Sequence, residues 1–280
     1  MTGSRKTAPI LFDRALIATR RARAARLGPA TFLLDRVVED LNERLGAVLR
    51  EFTAAADVGT PEFKLATLLA GRMPAREIPL LVADDERLDL APESIDLAVS
   101  ALALHLVNDL PGVLAQLRRA LRPDGLFLAA LLGGETLTEL REAFAAAEAE
   151  VEGGLSPRVA PFADLRELGA LLQRAGFALP VTDVDRLTVR YDSALALMQD
   201  LRRMGATNPL TERRRTPLRR QTLLRAVEIY GERFADADGR VRATFEVVWL
   251  SGWAPHESQQ QPLKPGSANV SLAEALKRRR

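Results

Sequence analysis

The chain of 280 residues contains no cysteine. That absence removes disulfides, thiolate zinc sites, cysteine-held iron-sulfur clusters and a cysteine nucleophile together. Histidine is scarce as well, with only His105 and His256 present. Two histidines and a carboxylate would meet the count for a non-haem iron site, but nothing in the sequence places these two together, and no metal site is assigned. Aromatic residues make up 5%, too few to interleave with basic clusters as single-strand nucleic-acid binding requires. No run of about 18 apolar residues is available to span a membrane. The start, from Met1 to Thr7, lacks an apolar stretch of signal-peptide length, which leads to the expectation of a cytoplasmic location. Neither sign of charge is in excess: 39 Lys and Arg face 37 Asp and Glu, and the net +2 is no nucleic-acid footprint. The arginine clusters near 20–26 and 202–225 read as solvated helix faces.

What is present is ordinary globular material, 47% apolar and 27% charged, enough for one large domain or two small ones. Residues 11–27 place Leu11, Ala15, Ala18, Ala22 and Ala25 on one helical face with arginines opposite, and Gly28-Pro29 ends the helix. A second helix at 32–49 repeats Leu33, Val37, Leu41, Leu45 and Val48 at helical period. The rhythm then changes to short apolar runs at 54–58, 80–83, 95–104 and 126–132, with helical stretches near 63–71 and 110–121 between them. Buried strands alternating with helices predict an α/β fold with a mostly parallel sheet covered on both faces. Helices follow at 135–151 and 162–175, a half-exposed strand at 181–191, arginine-rich helices over 194–234 and a last strand at 243–253. The expected organisation is a helical lead-in or cap at 1–50, an α/β domain at 51–255 with a helical lid at 192–235, and a polar tail at 256–280.

In a doubly wound sheet the ligand sits beyond the carboxyl ends of the strands, where strand order reverses. Four segments arrive there: Asp57-Val58-Gly59-Thr60, Asp84-Asp85, the stretch from Ser100 to Asp109, and Gly133-Gly134-Glu135-Thr136. A glycine after a strand-ending acid lets backbone approach a small ligand. His105, at a strand end, can act as base, ligand or hydrogen-bond donor, or simply anchor the turn into Asn108-Asp109. Trp249 and Trp253 read as packing, and Asp13-Arg14 as either a substrate contact or a surface ion pair.

Asp57-x-Gly59, Val82-Ala83-Asp84, Ile95-Asp96-Leu97-Ala98-Val99-Ser100 and Leu121-Arg122-Pro123-Asp124-Gly125 follow the order of landmarks in class I S-adenosylmethionine-dependent methyltransferases, and the chain resembles that superfamily. Longer stretches run from Ser100 through Leu104-His105-Leu106-Val107-Asn108-Asp109 to Pro111, from Gly133 to Arg141, and from Glu152-Gly153-Gly154 to Pro157. With His256-Glu257-Ser258-Gln259 and Gly266-Ser267-Ala268-Asn269, they are similar to the methyltransferase-like assembly factors of respiratory complex I over nearly the whole chain. The resemblance implies a Rossmann-like class I methyltransferase fold, closed by an antiparallel last strand inserted between those at 126 and 181. It implies S-adenosylmethionine as cofactor, at Asp57, Gly59, Thr60, Asp84, Asp85, Ser100 and Leu104, with His105, Asp109 and Glu135 as catalytic candidates. The implied activity is hydroxylation of an arginine on the iron-sulfur subunit of complex I, with that subunit as partner and membrane association only through it. Asp84, Asp85, Asp109 and Glu135 would hold the substrate guanidinium between carboxylates. The strand ends and the tail at 256–272 would form the partner surface.

Two departures qualify that resemblance. Pro61 and Phe63 stand where further glycines are expected; Pro61 has no amide hydrogen to give, and Phe63 adds bulk. Too few residues separate Gly71 from the run at 80–83 for a parallel crossover. One strand and one helix of the usual sheet are therefore expected to be missing, with 80–83 directly beside 54–58 and no matching acid for the cofactor's ribose. Cofactor binding should be weak. Three functions remain open: a protein-arginine-modifying enzyme, a methyltransferase of a small molecule or carrier-bound acid, and a non-catalytic escort of an assembly intermediate.

Overall fold

The computed structural model describes residues 10–80 and 86–260. Helix α1 (Arg14–Leu27) starts where the Asp13 carboxylate accepts the Leu16 amide at 3.0 Å, and it stops at Gly28, whose φ of +80° suits glycine. Its inward stripe is Ile17, Arg20, Arg21 and Ala24, spaced as one helical face. The alanine face expected from the sequence is the solvent face instead: Ala15, Ala18, Ala22 and Ala25 are exposed. Helix α2 (Phe32–Gly46) follows expectation, burying Val37, Leu41 and Leu45 against sheet residues Leu97, Val99, Leu126 and Leu128.

Strands β1 (Ala55–Val58), β2 (Ala75–Ile78), β3 (Ile95–Ala101), β4 (Leu121–Leu132), β5 (Ala178–Tyr191) and β6 (Val241–Trp253) form one sheet in the order β2-β1-β3-β4-β6-β5. Strands β1 to β4 run parallel, and β6 inserts antiparallel between β4 and β5, as expected. Strand β3 is buried along its whole length, which is why it reads as a continuous apolar run. Helices α4 (Leu110–Ala120) and α6 (Leu165–Arg174) cover one face through Val113, Leu117, Leu168 and Leu172. At the other side α5 (Thr138–Glu152), α7 (Ala194–Arg203) and α8 (Arg220–Phe234) pack together with Ala243 and Phe245 of β6.

The neighbour of β1 is β2 and not the run at 80–83, of which residues 81–83 lie outside the described residues. Residues 59–74, carrying the turn Pro61–Phe63 and α3 (Lys64–Leu69), supply a crossover long enough for the parallel return. Strand β2 went unseen because it is an edge strand: Arg76 and Glu77 are exposed, so it has no apolar run to betray it. Six strands are present among the described residues, and the one acid of β2, the exposed Glu77, stands in register with Asp57 of β1.

The Leu121-Arg122-Pro123-Asp124-Gly125 motif is a bulge within β4, with Asp124 at φ +61°, so the strand begins earlier than expected. It receives the chain leaving β6: Ala254 donates its amide to the Gly125 carbonyl at 2.8 Å, and Gln259 donates to the Asp124 carboxylate at 2.9 Å. The start of the tail therefore lies at the amino end of β4. The expected partner surface, combining strand carboxyl ends with the tail, is corrected for residues 256–260, which sit at the opposite end of the sheet. Residues 261–280, with the Gly266-Ser267-Ala268-Asn269 motif, lie outside the described residues.

Asn108 is a latch. Its side-chain carbonyl accepts the amides of Leu11 and Phe12, both at 2.8 Å, while the buried Glu86 carboxylate accepts the Asn108 amide at 2.7 Å and pairs with Arg14. Asp13-Arg14 thus caps and anchors α1. Asn108→Ala should strip two amides of their acceptor, costing about 1 to 3 kcal/mol, read as a fall of several degrees in the thermal unfolding midpoint. An unchanged midpoint would mean that water replaces the latch at no loss.

Candidate functional site

A cavity of about 500 Å³ opens beyond the carboxyl ends of the central strands. Pro61 and Glu62 reach it from the β1 end, Leu102 and His105 from β3, and Leu132 and Leu137 from β4. Helices α1, α2, α5 and α7, the segment 204–209 and the loop 157–160 supply most of its remaining walls. Within the stretch 192–235, α7 and 204–209 overlie the cavity, whereas α8 packs on α5 away from it. The backbone is strained at its rim: Glu62, Leu102 and Leu137 have φ of 58°, 49° and 56°, in the left-handed region that side chains avoid. Each such residue costs of order 1 to 3 kcal/mol, and strain of this kind gathers at functional sites.

The cofactor candidates are mostly committed elsewhere. Asp57 is fully buried and accepts the Ala66 amide at 2.9 Å, which fixes the start of α3; burial raises its pKa against the hydrogen bonds from Thr60 and Ala66. Thr60 accepts the Ala101 amide through its hydroxyl at 3.0 Å, and Ser100 donates its hydroxyl to the Val58 carbonyl at 2.7 Å. Leu104 is buried in the core. At Gly59, with φ +71°, an added Cβ would stand 2.6 Å from the Leu80 Cβ and 3.3 Å from the Ala103 Cβ. The space that close backbone approach should leave open is filled by side chains. None of these five residues lines the cavity, and Asp84 and Asp85 lie outside the described residues. The arrangement does not fit the methionine end of S-adenosylmethionine.

Of the three catalytic candidates only His105 reaches the cavity. Asp109 is the exposed cap of α4, accepting the Gly112 amide at 2.9 Å, and Glu135 is exposed in the turn after β4. His105 is half-buried, meets Phe162 edge to face at 5.6 Å, and has a buried Nδ1 with no hydrogen-bond partner among the described residues. Burial, and then the charge of Arg21, push its pKa down to about 3, so the ring is neutral at physiological pH. His256 instead hydrogen-bonds Ser258 at the far end of the sheet. Trp249 donates to Asp185 at 2.7 Å beneath the Arg44 guanidinium, a packing role as expected.

The expected carboxylate clamp for a guanidinium is absent from this cavity among the described residues. Glu62 is the one acid in a lining that includes Arg20, Arg21, Arg158, Arg213 and Arg214. Sequence reasoning missed Arg21 and Phe162. The signal for Arg21 was the helical spacing from Ile17, which the alanine-rich face obscured.

Sheet order, the inserted antiparallel β6 and a cavity at the strand ends together define a class I methyltransferase fold. A family model described as a methyltransferase domain matches residues 38–129. A solved structure described as a methyltransferase from Bacillus halodurans shares the fold at TM-score 0.52 and 14% identity, covering 78% of this chain and 100% of that one. The chain belongs to the family of the mitochondrial arginine-hydroxylases NDUFAF5. It is 37% identical to the Danio rerio member over 95% of this chain and 90% of that protein. It is also 37% identical to the Homo sapiens member, over 94% of this chain and 83% of that protein. The malonyl-[acyl-carrier protein] O-methyltransferase of Laribacter hongkongensis is 40% identical over 76% of this chain and 67% of its own length. The expected cytoplasmic location is corrected by these family members, which are named mitochondrial. Among the described residues no helix is long and apolar enough to cross a membrane.

Proposed function

We propose that the chain serves the assembly of respiratory complex I by engaging its iron-sulfur subunit and hydroxylating one of that subunit's arginines. The observation that carries this reading is the extent of the likeness to the named arginine-hydroxylases: it covers 95% of the chain, whereas the methyltransferase-domain match stops at 38–129. The likeness thus takes in α1 and α7, which lie outside the methyltransferase-domain match and which a common fold leaves free to vary. In cells lacking the chain, mass spectrometry of the iron-sulfur subunit should show one arginine without its added oxygen atom, restored when the chain is supplied. An arginine that keeps its oxygen in those cells refutes the enzymatic reading.

A second reading, a non-catalytic escort, is favoured by Leu80 standing against Gly59. It predicts restored assembly with no change at any arginine. Under either reading S-adenosylmethionine binds weakly, since each lost hydrogen bond to its charged groups is worth about 1.5 to 3 kcal/mol, roughly tenfold or more in affinity. Calorimetric titration should find wild-type affinity poorer than low micromolar and Leu80→Ala tighter. Tight wild-type binding, or a variant no better than wild type, would show that Leu80 does not obstruct the cofactor.

A further inference from the structure

Most of the cavity's arginines are already spoken for. Arg20 donates to the Thr207 carbonyl at 2.7 Å, Arg158 to Glu148 at 2.7 Å, and Arg213 to Asp13 at 3.2 Å, while Arg203 reaches the Gly28 carbonyl and Arg214 pairs with Glu152. Arg21 differs. It faces the same cavity half-buried, with no hydrogen-bond or ion-pair partner among the described residues. Its position is fixed by a close helix crossing: at Gly205, with φ +69°, an added Cβ would stand 3.2 Å from the Arg21 Cα, so α1 lies against the end of α7 with this side chain turned inward. Beside it the buried Nδ1 of His105 is likewise unpartnered. An unsatisfied His105 Nδ1 and an Arg21 charge that burial disfavours and no carboxylate offsets carry a desolvation cost in one cavity, unless something binds there. The remaining walls are largely apolar, with Leu33, Leu102, Leu140, Phe144 and Phe162 among them.

We propose that this cavity binds an amphipathic acid, a molecule with an apolar body and a carboxylate head, the carboxylate resting on Arg21 beside His105 and the body lying along the apolar wall. A guanidinium carries five donors in a fork that matches a carboxylate, and the pairing strengthens where water is excluded. A cationic ligand would meet a cationic lining here. The cavity adjoins the turn after Gly59 through Pro61 and Glu62, and the proposal rests on neither activity proposed above.

Decanoate serves as the probe, with decanol supplying the same chain without charge and acetate the charge without the chain. Calorimetry on the full chain should show decanoate binding about tenfold or more tightly than either control. Arg21→Met, which keeps the aliphatic bulk, should lose about that factor for decanoate and leave decanol unchanged. Arg23→Met, an exposed position on the same helix, should bind as wild type does. Without ligand, Arg21→Met should melt no lower than wild type, because the substitution removes a desolvated, unpaired charge. The proposal is overturned if wild type fails to bind decanoate, if decanol binds equally well, or if Arg21→Met binds decanoate unchanged. An Arg21→Met protein that melts well below wild type would assign Arg21 to structure and overturn it equally.

Discussion

Glu148→Ala should cost about 3 to 5 kcal/mol, a large part of the roughly 5 to 15 kcal/mol that holds a typical domain folded. Glu148 sits on α5 at 1% exposure. One carboxylate oxygen accepts the Ser156 amide at 2.7 Å; the other accepts the Ser156 hydroxyl at 2.6 Å and the Arg158 guanidinium at 2.7 Å. Burial works against the charge, yet the hydrogen bonds from Ser156 and Arg158 outweigh it and hold the carboxyl below its ordinary value. Alanine would leave the half-buried Arg158 without its counter-ion and Ser156 without its acceptor. The loop 157–160, one wall of the cavity, would lose its anchor with them. Urea unfolding should show a sharply lower midpoint for Glu148→Ala. Glu150→Ala, two residues along, should change little, because its pair with Arg225 is solvent-exposed. Equal midpoints for the two variants would mean that the Glu148 cluster does not hold the wall.

The Glu148 cluster also shows why motifs were easier to find than to interpret. The stretch Glu152-Gly153-Gly154-Leu155-Ser156-Pro157 stood out in the sequence, and in the structure it is an anchor: Ser156 is held by Glu148, and Glu152 accepts the Thr222 hydroxyl at 2.6 Å and pairs with Arg214. Asn108-Asp109 proved to be a latch and a helix cap, and Leu121-Arg122-Pro123-Asp124-Gly125 a bulge that seats the chain after β6. The fold was legible because buried strands such as β3 leave continuous apolar runs and α2 leaves a clean helical stripe. Strand β2 was not, since an edge strand has no hydrophobic face on both sides to record. The cavity was least legible of all. Its members come from α1, α2, α5, α7, several strands and the loops between them, and Arg21 looked like any solvated arginine until α7 and Gly205 closed over it.

Mild acid should destabilise the ligand-free protein through His105. The unfolded chain takes up a proton near the ordinary value of 6.5, whereas the folded ring, half-buried with its Nδ1 enclosed and Phe162 against its edge, and close to the Arg21 charge, resists protonation until about 3. The stabilisation is therefore complete above 6.5 and is lost progressively as pH falls from there toward 3. From about pH 7.5 to about pH 5.5 the loss should be about 1.4 kcal/mol, the full difference in proton uptake over that interval. His105→Phe keeps the ring contact with Phe162 and removes the titration, so its stability should be flatter over the same interval. Asp57, whose carboxyl is raised by burial, works in the opposite direction, and the comparison with the variant isolates the histidine. Urea unfolding of both proteins at the two pH values reads the difference directly; identical slopes would show that His105 is not held neutral by the fold. A carboxylate bound at Arg21 should change the same slope. A negative charge beside the ring favours the imidazolium and raises the folded pKa, so saturation with decanoate should flatten the acid sensitivity of wild type and leave His105→Phe as it was.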